Sequence, residues 1–526
     1  MANYFTDNED IKFHLNDERF KTILELREKG YTDNKAYPFA PDDFEDALDN
    51  CHQALSLIGE LSAEILAPAA TDTDRKGCRL ENNVVSYAKG TQEMINRLKQ
   101  AELFGFTLPR KYGGLNFPMT VYMMAVEIVS RADASFMTLF GLQEISETIH
   151  LYASSERFLN GVKHFISNGC GDVLLVLARS EQNVQGARGL SLFLYEKDEN
   201  LLVRRLEDKL GIHGSPTCEL QFKNCRATLV GKRKRGLSRY VMSLMNGARL
   251  VVGAQSIGIA QEAYNQSLQY ARQRKQFGKS IIEFPPVLEM LTNMRVQIEA
   301  ARSLMYEASL TVDVHHVYNR YGTKDKESAA KIKELNRFAG LLTPMVKYYA
   351  SEMCNKITYD AIQIFGGAGF MRDYEVERLY RDARITTIYE GTSQLQVVAA
   401  AGGITSGLFF KLLEIKISQS FPEAFNPLVE KIRECEKLLQ QAVSSVKAKN
   451  DHLYLEYHAR GLVDMATETL IAVLLLQNSI KSDHKFDIAK KFIADTCVRV
   501  KMLADKTING DDLAIYECWR IIDSPI

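Results

Sequence analysis

Residues 389–394 read YEGTSQ, which sets one carboxylate, Glu390, beside a glycine and two hydroxyl side chains. Taken alone, Glu390 is more simply read as a surface or salt-bridged acid. Upstream, IFGGAGF places Gly366, Gly367 and Gly369 where they permit a tight turn close to another chain or a ligand. The run is not GxGxxG and follows a helical segment, so a nicotinamide site is disfavoured. Arg249, in NGAR, carries a planar guanidinium with a fixed fork of donors. The bland alternative is an arginine near a helix start that pairs with a surface acid. His315 and His316 are adjacent rather than three or four apart, which favours a solvated loop over a metal site. Nine cysteines contain no CxxC pair, and Cys170, Cys218 and Cys225 read as ordinary core or surface residues. Asp511 and Asp512 read as solvated or helix-capping groups. No metal is expected.

The elements that must carry these residues follow from periodicity. The 526 residues, 46% of them hydrophobic, can bury a large core, and length suggests three or four domains. Sixty-five basic against sixty-six acidic residues argue against wholesale binding to nucleic acid. The start, MANYFTDNED, resembles neither a secretory signal nor a transit peptide, and apolar runs such as 471–477 are too short to span a bilayer. The cytoplasm is the expected location. Residues 1–150 read mainly as helices, with a turn-rich break at 108–114. From Phe158 to about 240 the chain offers five short segments rich in bulky apolar residues, the pattern of a small antiparallel sheet. Helical periodicity returns at Val241. One long helix carries Arg249, and a hairpin of roughly 284–312 and 326–362 follows, joined by a polar stretch. Beyond 405 the chain is again helical, with Leu428, Ile432, Cys435, Leu439, Ala442 and Val446 on one face. Residues 450–480 and 485–508 offer two more helices. The predicted class is α+β, with domains at 1–156, 157–240, 241–405 and 406–526.

The block 361–396 closely resembles the C-terminal region of the acyl-CoA dehydrogenase family, as does the stretch from NGAR at 246 to RKQFG at 278. NGVKHFISNG (160–169) and LEDKLGIHGSPT (206–217) add separate matches, so the resemblance extends through most of residues 80–400. It implies the long form of that family: an N-terminal helical domain, a central β domain, a four-helix bundle and an extra C-terminal helical domain. It also implies FAD as cofactor and an acyl-CoA thioester as substrate, oxidised to the trans-2-enoyl thioester. By position, Glu390 becomes the base that removes the α-proton. Relatives that place the base on the long helix do so just before the arginine, where this chain has Ala248. Arg249 becomes the substrate-positioning group. Phe165 and Ser167 fall where the family sets an aromatic ring against the flavin and a hydroxyl near N5. Thr392 and Gln394 fall where residues contact the dinucleotide. Arg274 and Phe277, with Gln363 and Gly367, resemble the two parts of a cofactor site shared across a subunit boundary. A homodimer or homotetramer is implied, with electron-transfer flavoprotein as the partner that takes the electrons.

One stretch has no counterpart. LYASSE (151–156) passes directly to RFLNGVKHFISNG (157–169), where related chains place about fifty more residues: a helix, a ligand-binding loop and one or more strands. The central β domain is therefore expected to be shortened. A second function class follows from that loss, a catalytically inactive or flavin-poor scaffold or partner protein of the same fold.

Overall fold

The fold is described from a computed structural model, which covers residues 2–143, 153–322, 325–510 and 513–523. Asp511 and Asp512 lie outside the described residues, as do 144–152 at the end of the expected N-terminal helices.

Among the described residues, seven α-helices form the N-terminal part: α1 (Glu9–Leu15), α2 (Arg19–Arg27), α3 (Phe44–Leu61), α4 (Ala67–Lys76), α5 (Lys89–Gln100), α6 (Met119–Ala132) and α7 (Ala134–Phe140). Helix α6 is buried on nearly every face, which explains its continuous apolar sequence. Asp133 caps α7 by accepting from the Ser135 and Phe136 amides, which otherwise lack acceptors at a helix start. The stretch from Phe44 to Lys76 is long and apolar enough to cross a membrane by length and composition. Its apolar side, with Cys51, Leu55, Ile58 and Leu66, instead packs into the protein core.

A hairpin of β1 (Arg79–Glu81) and β2 (Val84–Ser86) precedes the main sheet of β3 (Ala153–Ser167), β4 (Val173–Arg179), β5 (Leu190–Glu196), β6 (Leu201–Leu206) and β7 (Thr217–Val230). All pairings in this sheet are antiparallel, as the alternating segments predict. Strand β7 is its spine. It pairs with β3 along one edge, and with β6 near its start and β5 near its end on the other. The first strand begins at Ala153 rather than Phe158, and it runs unbroken through Glu156 and Arg157. Pairing with β7 extends it: Ala153 faces Val230 and Ser167 faces Thr217. Among the described residues β3 has no ladder partner on its second edge.

The helical half begins with α8 (Met242–Gln273), α9 (Pro285–Tyr321) and α10 (Lys326–Phe365). Between α8 and α9 lies a small hairpin of β8 (Lys275–Gln276) and β9 (Lys279–Ser280). Helix α9 corrects the expected loop: His315 and His316 continue the helix, because its core-facing row extends to the buried Val317. Burial holds the His315 imidazole down to about 4. Helices α11 (Val376–Ala383) and α12 (Ser393–Thr405) then pack on α10. The remainder, among the described residues, comprises α13 (Leu408–Ile417), α14 (Asn426–Lys449), α15 (His452–Asn478) and α16 (Asp483–Asn509), followed by two short helices, α17 (Leu513–Tyr516) and α18 (Cys518–Ile522). The six apolar residues predicted to share one face of α14 are all buried. Each leucine, isoleucine or valine among them contributes about 1.5–3 kcal/mol when taken fully from water.

A buried polar cluster ties this last bundle to the rest. Arg302 on α9 donates to Glu127 on α6 (2.9 Å), Asp10 on α1 (3.1 Å) and Gln261 on α8 (2.6 Å). Lys485 on α16 pairs with Asp10 and with Glu299 on α9, the latter at 2.9 Å. Tyr306 donates to Glu127 at 2.7 Å. Five helices from distant parts of the chain thus share one set of charges.

Candidate active site

Glu390 lies on the turn between α11 and α12. Its φ is +53°, in the left-handed region, and Gly391 follows at +91°. The first value strains any residue with a Cβ; the second suits glycine, whose added Cβ would lie 2.7 Å from Gln396 Nε2. Surrounding contacts hold the turn in place. Buried Gln396 donates through Nε2 to the carbonyls of Glu390 (3.2 Å) and Gly391 (2.9 Å). The Tyr389 hydroxyl donates to Gln255 on α8. Thr392 accepts from the Leu395 amide and so starts α12, while Ser393 donates to Glu352 on α10 at 2.6 Å. No hydrogen bond among the described residues uses the Glu390 amide.

Sequence reasoning missed Lys347. It is fully buried on α10, and its Nζ donates to the Gly391 carbonyl at 2.7 Å. Burial holds its ammonium down to about 8, with Glu390 and Glu352 pulling upward and Arg249 downward. Its one legible signal is a lysine inside the apolar run LLTPMVKYY. Gln396, Gln255 and Asn246 were missed too. Gln255 meets Tyr389 across 134 residues and Asn246 meets Thr343 across 97, while Gln396 reaches back five and six residues to the turn carbonyls.

Although the Glu390 side chain reaches solvent, protein packed around it disfavours the charge and raises its carboxyl above the ordinary range. Lys347 partly draws it back. Arg249 is buried on α8; its Nη1 donates to Asn246 at 3.1 Å, and Nε has no hydrogen-bond partner. Burial without an ion-pair partner lowers its affinity for the proton.

Phe165 and Ser167 end β3. Phe165 also has a left-handed φ of +59°, and 74% of its surface is exposed. The strand end is pinned through Asn168, which donates to the Thr138 carbonyl on α7 at 3.1 Å. Residues 206–217 lie alongside: the Ile212 amide donates to Asp382 on α11, and Thr138 to Ser215 at 2.6 Å. Gly214 makes the fit, since a Cβ there would sit 2.5 Å from Thr73 Cγ2. Helix α11, which leads into the Glu390 turn, is thus tied to the loop between β6 and β7.

The other predicted residues occupy a different face. Tyr270, near the end of α8, stacks on Phe365, at the end of α10, with ring centroids 4.0 Å apart. Arg274 and Phe277 are therefore on the same side of the chain as Gln363 and Gly367, and all four are exposed, Phe277 by 93%. Gln363 is sixteen residues beyond Lys347 on one helix, about 24 Å at the helical rise.

The residues 56–158 match the description "Acyl-CoA dehydrogenase, N-terminal domain", 142–225 its middle domain, 235–404 its C-terminal domain and 405–496 "Acyl-CoA dehydrogenase C terminal". This chain belongs to the acyl-CoA dehydrogenase family. The family consists of flavin-dependent oxidoreductases, and FAD is the cofactor. A probable acyl-CoA dehydrogenase of Mycobacterium tuberculosis, FadE25, is 31% identical over 390 residues, covering 65% of this chain and 92% of the relative. That share of 526 residues is about 342, so roughly 48 alignment positions face gaps in this chain. The 3-methylmercaptopropionyl-CoA dehydrogenase of Ruegeria pomeroyi is 31% identical over 442 residues, covering 70% of this chain and 74% of the relative. Among solved structures, butyryl-CoA dehydrogenase from Megasphaera elsdenii aligns with a TM-score of 0.58 at 27% identity, covering 68% of this chain and 98% of that one. The Caenorhabditis elegans ACDH-11 complex with C11-CoA aligns at 0.68 and 19% identity over 93% of this chain and 90% of that one, which shows the fold alone. The residues present suit a bound dinucleotide. Phe165 presents an uncovered ring, and Thr392 opens the thirteen-residue α12, whose N-terminus favours a phosphate.

Proposed function

We propose that this chain oxidises an acyl-CoA thioester between its α and β carbons to the trans-2-enoyl-CoA, with Glu390 taking the α-proton. The observation that carries this reading is the Glu390 turn. It presents a carboxylate with raised proton affinity and, among the described residues, no ion-pair contact, next to an amide that none of them uses. A base tuned upward toward the working pH transfers protons more efficiently than an ordinary surface acid. The Glu390 N–H, left free, suits the thioester carbonyl oxygen, whose charge grows as the α-proton leaves. Arg249 would orient the acyl-CoA or the turn itself. Bound FAD supplies the acceptor for the β-hydride. Phe165, Ser167, Thr392 and Gln394 would hold it from this chain.

The remaining contacts suggest a second copy. Arg274, Phe277, Gln363 and Gly367 gather at the far end of α10 from Lys347, so a homodimer or homotetramer brings such a patch to a neighbour's cofactor. Light scattering tests this, and a monomer saturated with FAD would contradict it. Electron-transfer flavoprotein is the proposed acceptor. One relative, from Acetobacterium woodii, is described as a subunit of a caffeyl-CoA reductase–Etf complex. The cytoplasm is the compartment this reading assigns.

The decisive experiment loads the purified protein with FAD and adds short, medium, long, branched and aromatic acyl-CoAs in turn. Bleaching of the oxidised flavin band by at least one is expected. A flavin-saturated protein that none of them reduces would favour the second reading, an inactive scaffold. That reading draws on one observation, the unpartnered edge of β3 where related chains place further strands.

A further inference from the structure

Lys347 is costly where it sits. Its side chain has no exposed surface, and among the described residues no carboxylate reaches ion-pair distance of its Nζ. A buried charge is normally paired or replaced by an apolar residue of similar length. The one hydrogen bond Nζ makes is to the carbonyl of Gly391, forty-four residues away in sequence and next to the proposed base. We infer that Lys347 is a positioning residue for acyl-CoA oxidation: it fixes the Glu390–Gly391 turn through that carbonyl and steadies the Glu390 carboxylate with its charge. The inference rests on the reading of Glu390 as the base.

Three observations support it. The left-handed conformation of Glu390 is held only if its surroundings over-determine it. Gln396 holds both carbonyls from α12, and Lys347 adds the contact from α10. The charges facing Lys347 are Glu390 on the turn, Glu352 on its own helix and Arg249 on α8. Glu352 is itself engaged, accepting from Ser393 and pairing with Arg460 of α15 at 3.3 Å. Glu390 is thus the carboxylate left for Lys347 to influence.

Lys347→Met removes both contact and charge, and Lys347→Gln keeps a polar side chain without the charge. Both are compared with Glu390→Gln and wild type in two measurements. The first is the pH profile of flavin reduction by an accepted acyl-CoA, with FAD bound. Lys347→Met should slow reduction on the order of a hundredfold, the scale of a base displaced by about an ångström. Its apparent pKa for the base should rise, because the cation that favours the carboxylate is gone. The second is urea unfolding from pH 7 to 10.5, which needs no flavin. Folded Lys347 releases its proton near 8 and unfolded lysine near 10.5, so wild-type stability should rise across that interval. Lys347→Met should lose that rise. Wild-type rates and profile in Lys347→Met, with Glu390→Gln inactive, would overturn the Lys347 inference alone. Lower stability with an unmoved apparent pKa would overturn it equally, since a merely structural lysine behaves so. Wild-type reduction by Glu390→Gln would instead remove the base assignment. If Lys347→Met does not fold, Lys347→Gln carries the same readings.

Discussion

Two carboxylates in this molecule meet opposite fates. Asp10, at the junction of α1, α9 and α16, is buried, but Lys485 and Arg302 both reach it, and they hold its carboxyl well below the ordinary range despite desolvation. Glu390 is more open, yet among the described residues no cation reaches ion-pair distance of it, and desolvation outweighs the pull of Lys347. The difference is one of partners rather than depth. A carboxylate meant to hold helices together has its charge satisfied in place; one available for proton transfer is left short of partners. His14 beside Asp10 follows the same logic from the other side. Crowded by burial and cations, its imidazole is held down to about 3 and stays neutral.

The sharpest break of that contrast is Glu390→Gln. It should lower the rate of flavin reduction by about 10²–10⁴-fold, the range of a general base, while FAD binding and the far-ultraviolet spectrum persist. Rapid-reaction absorbance measures it, and an unchanged rate would place the base elsewhere. Next comes Arg302→Met at the structural cluster. Stripping a partner from buried carboxylates costs about 3–5 kcal/mol, and urea unfolding should show it. A loss below about 1 kcal/mol would mean that water or a rearranged Lys485 takes over.

Gly214→Ala sharpens the geometric side. The new Cβ would crowd Thr73 and should cost about 1–3 kcal/mol, as overpacking does. It should also loosen the sheet end that carries Phe165 and Ser167, weakening FAD affinity in a fluorescence titration. Inserting a family-compatible segment between Glu156 and Arg157 should act in the opposite direction, tightening FAD by about tenfold, or 1.4 kcal/mol. Equal affinity before and after insertion would show that this chain has replaced the absent contacts.

The smallest expected effects are in pH. Asp10 has a depressed folded pKa, so its contribution is present above its ordinary 3.8 and lost as pH falls below it. Asp10→Asn should flatten the acid limb of an unfolding curve measured from pH 5 downward. Glu390 has a raised folded pKa, so ionising it costs stability as pH rises above 4.5. Glu390→Gln should leave the protein slightly more stable at neutral pH than wild type. A destabilised glutamine variant would mean that the carboxylate makes a structural contact after all.

Much of the scaffold was legible because it follows local periodicity. The five strand segments, the long α8 and the apolar face of α14 each repeat at the spacing their own backbone imposes. The misplacements came where a distant partner decided. His315 and His316 look like loop residues, but the helix core row continues past them to Val317. The first strand looks as if it starts at Phe158, but β7 offers pairing partners back to Ala153.

The sequence by itself determined the family, the order of helix, sheet and helix, and Glu390, Arg249 and the flavin-edge residues as candidates, because motifs of contiguous residues carry that information. Only the tertiary structure decided how Glu390 is held. Lys347 reaches Gly391 across forty-four residues, Gln255 meets Tyr389 across 134, and Lys485 meets Asp10 across 475. Whether a buried charge is paired, strained or left free depends on which groups the packed helices bring within about 3 Å. No spacing along the chain encodes that distance.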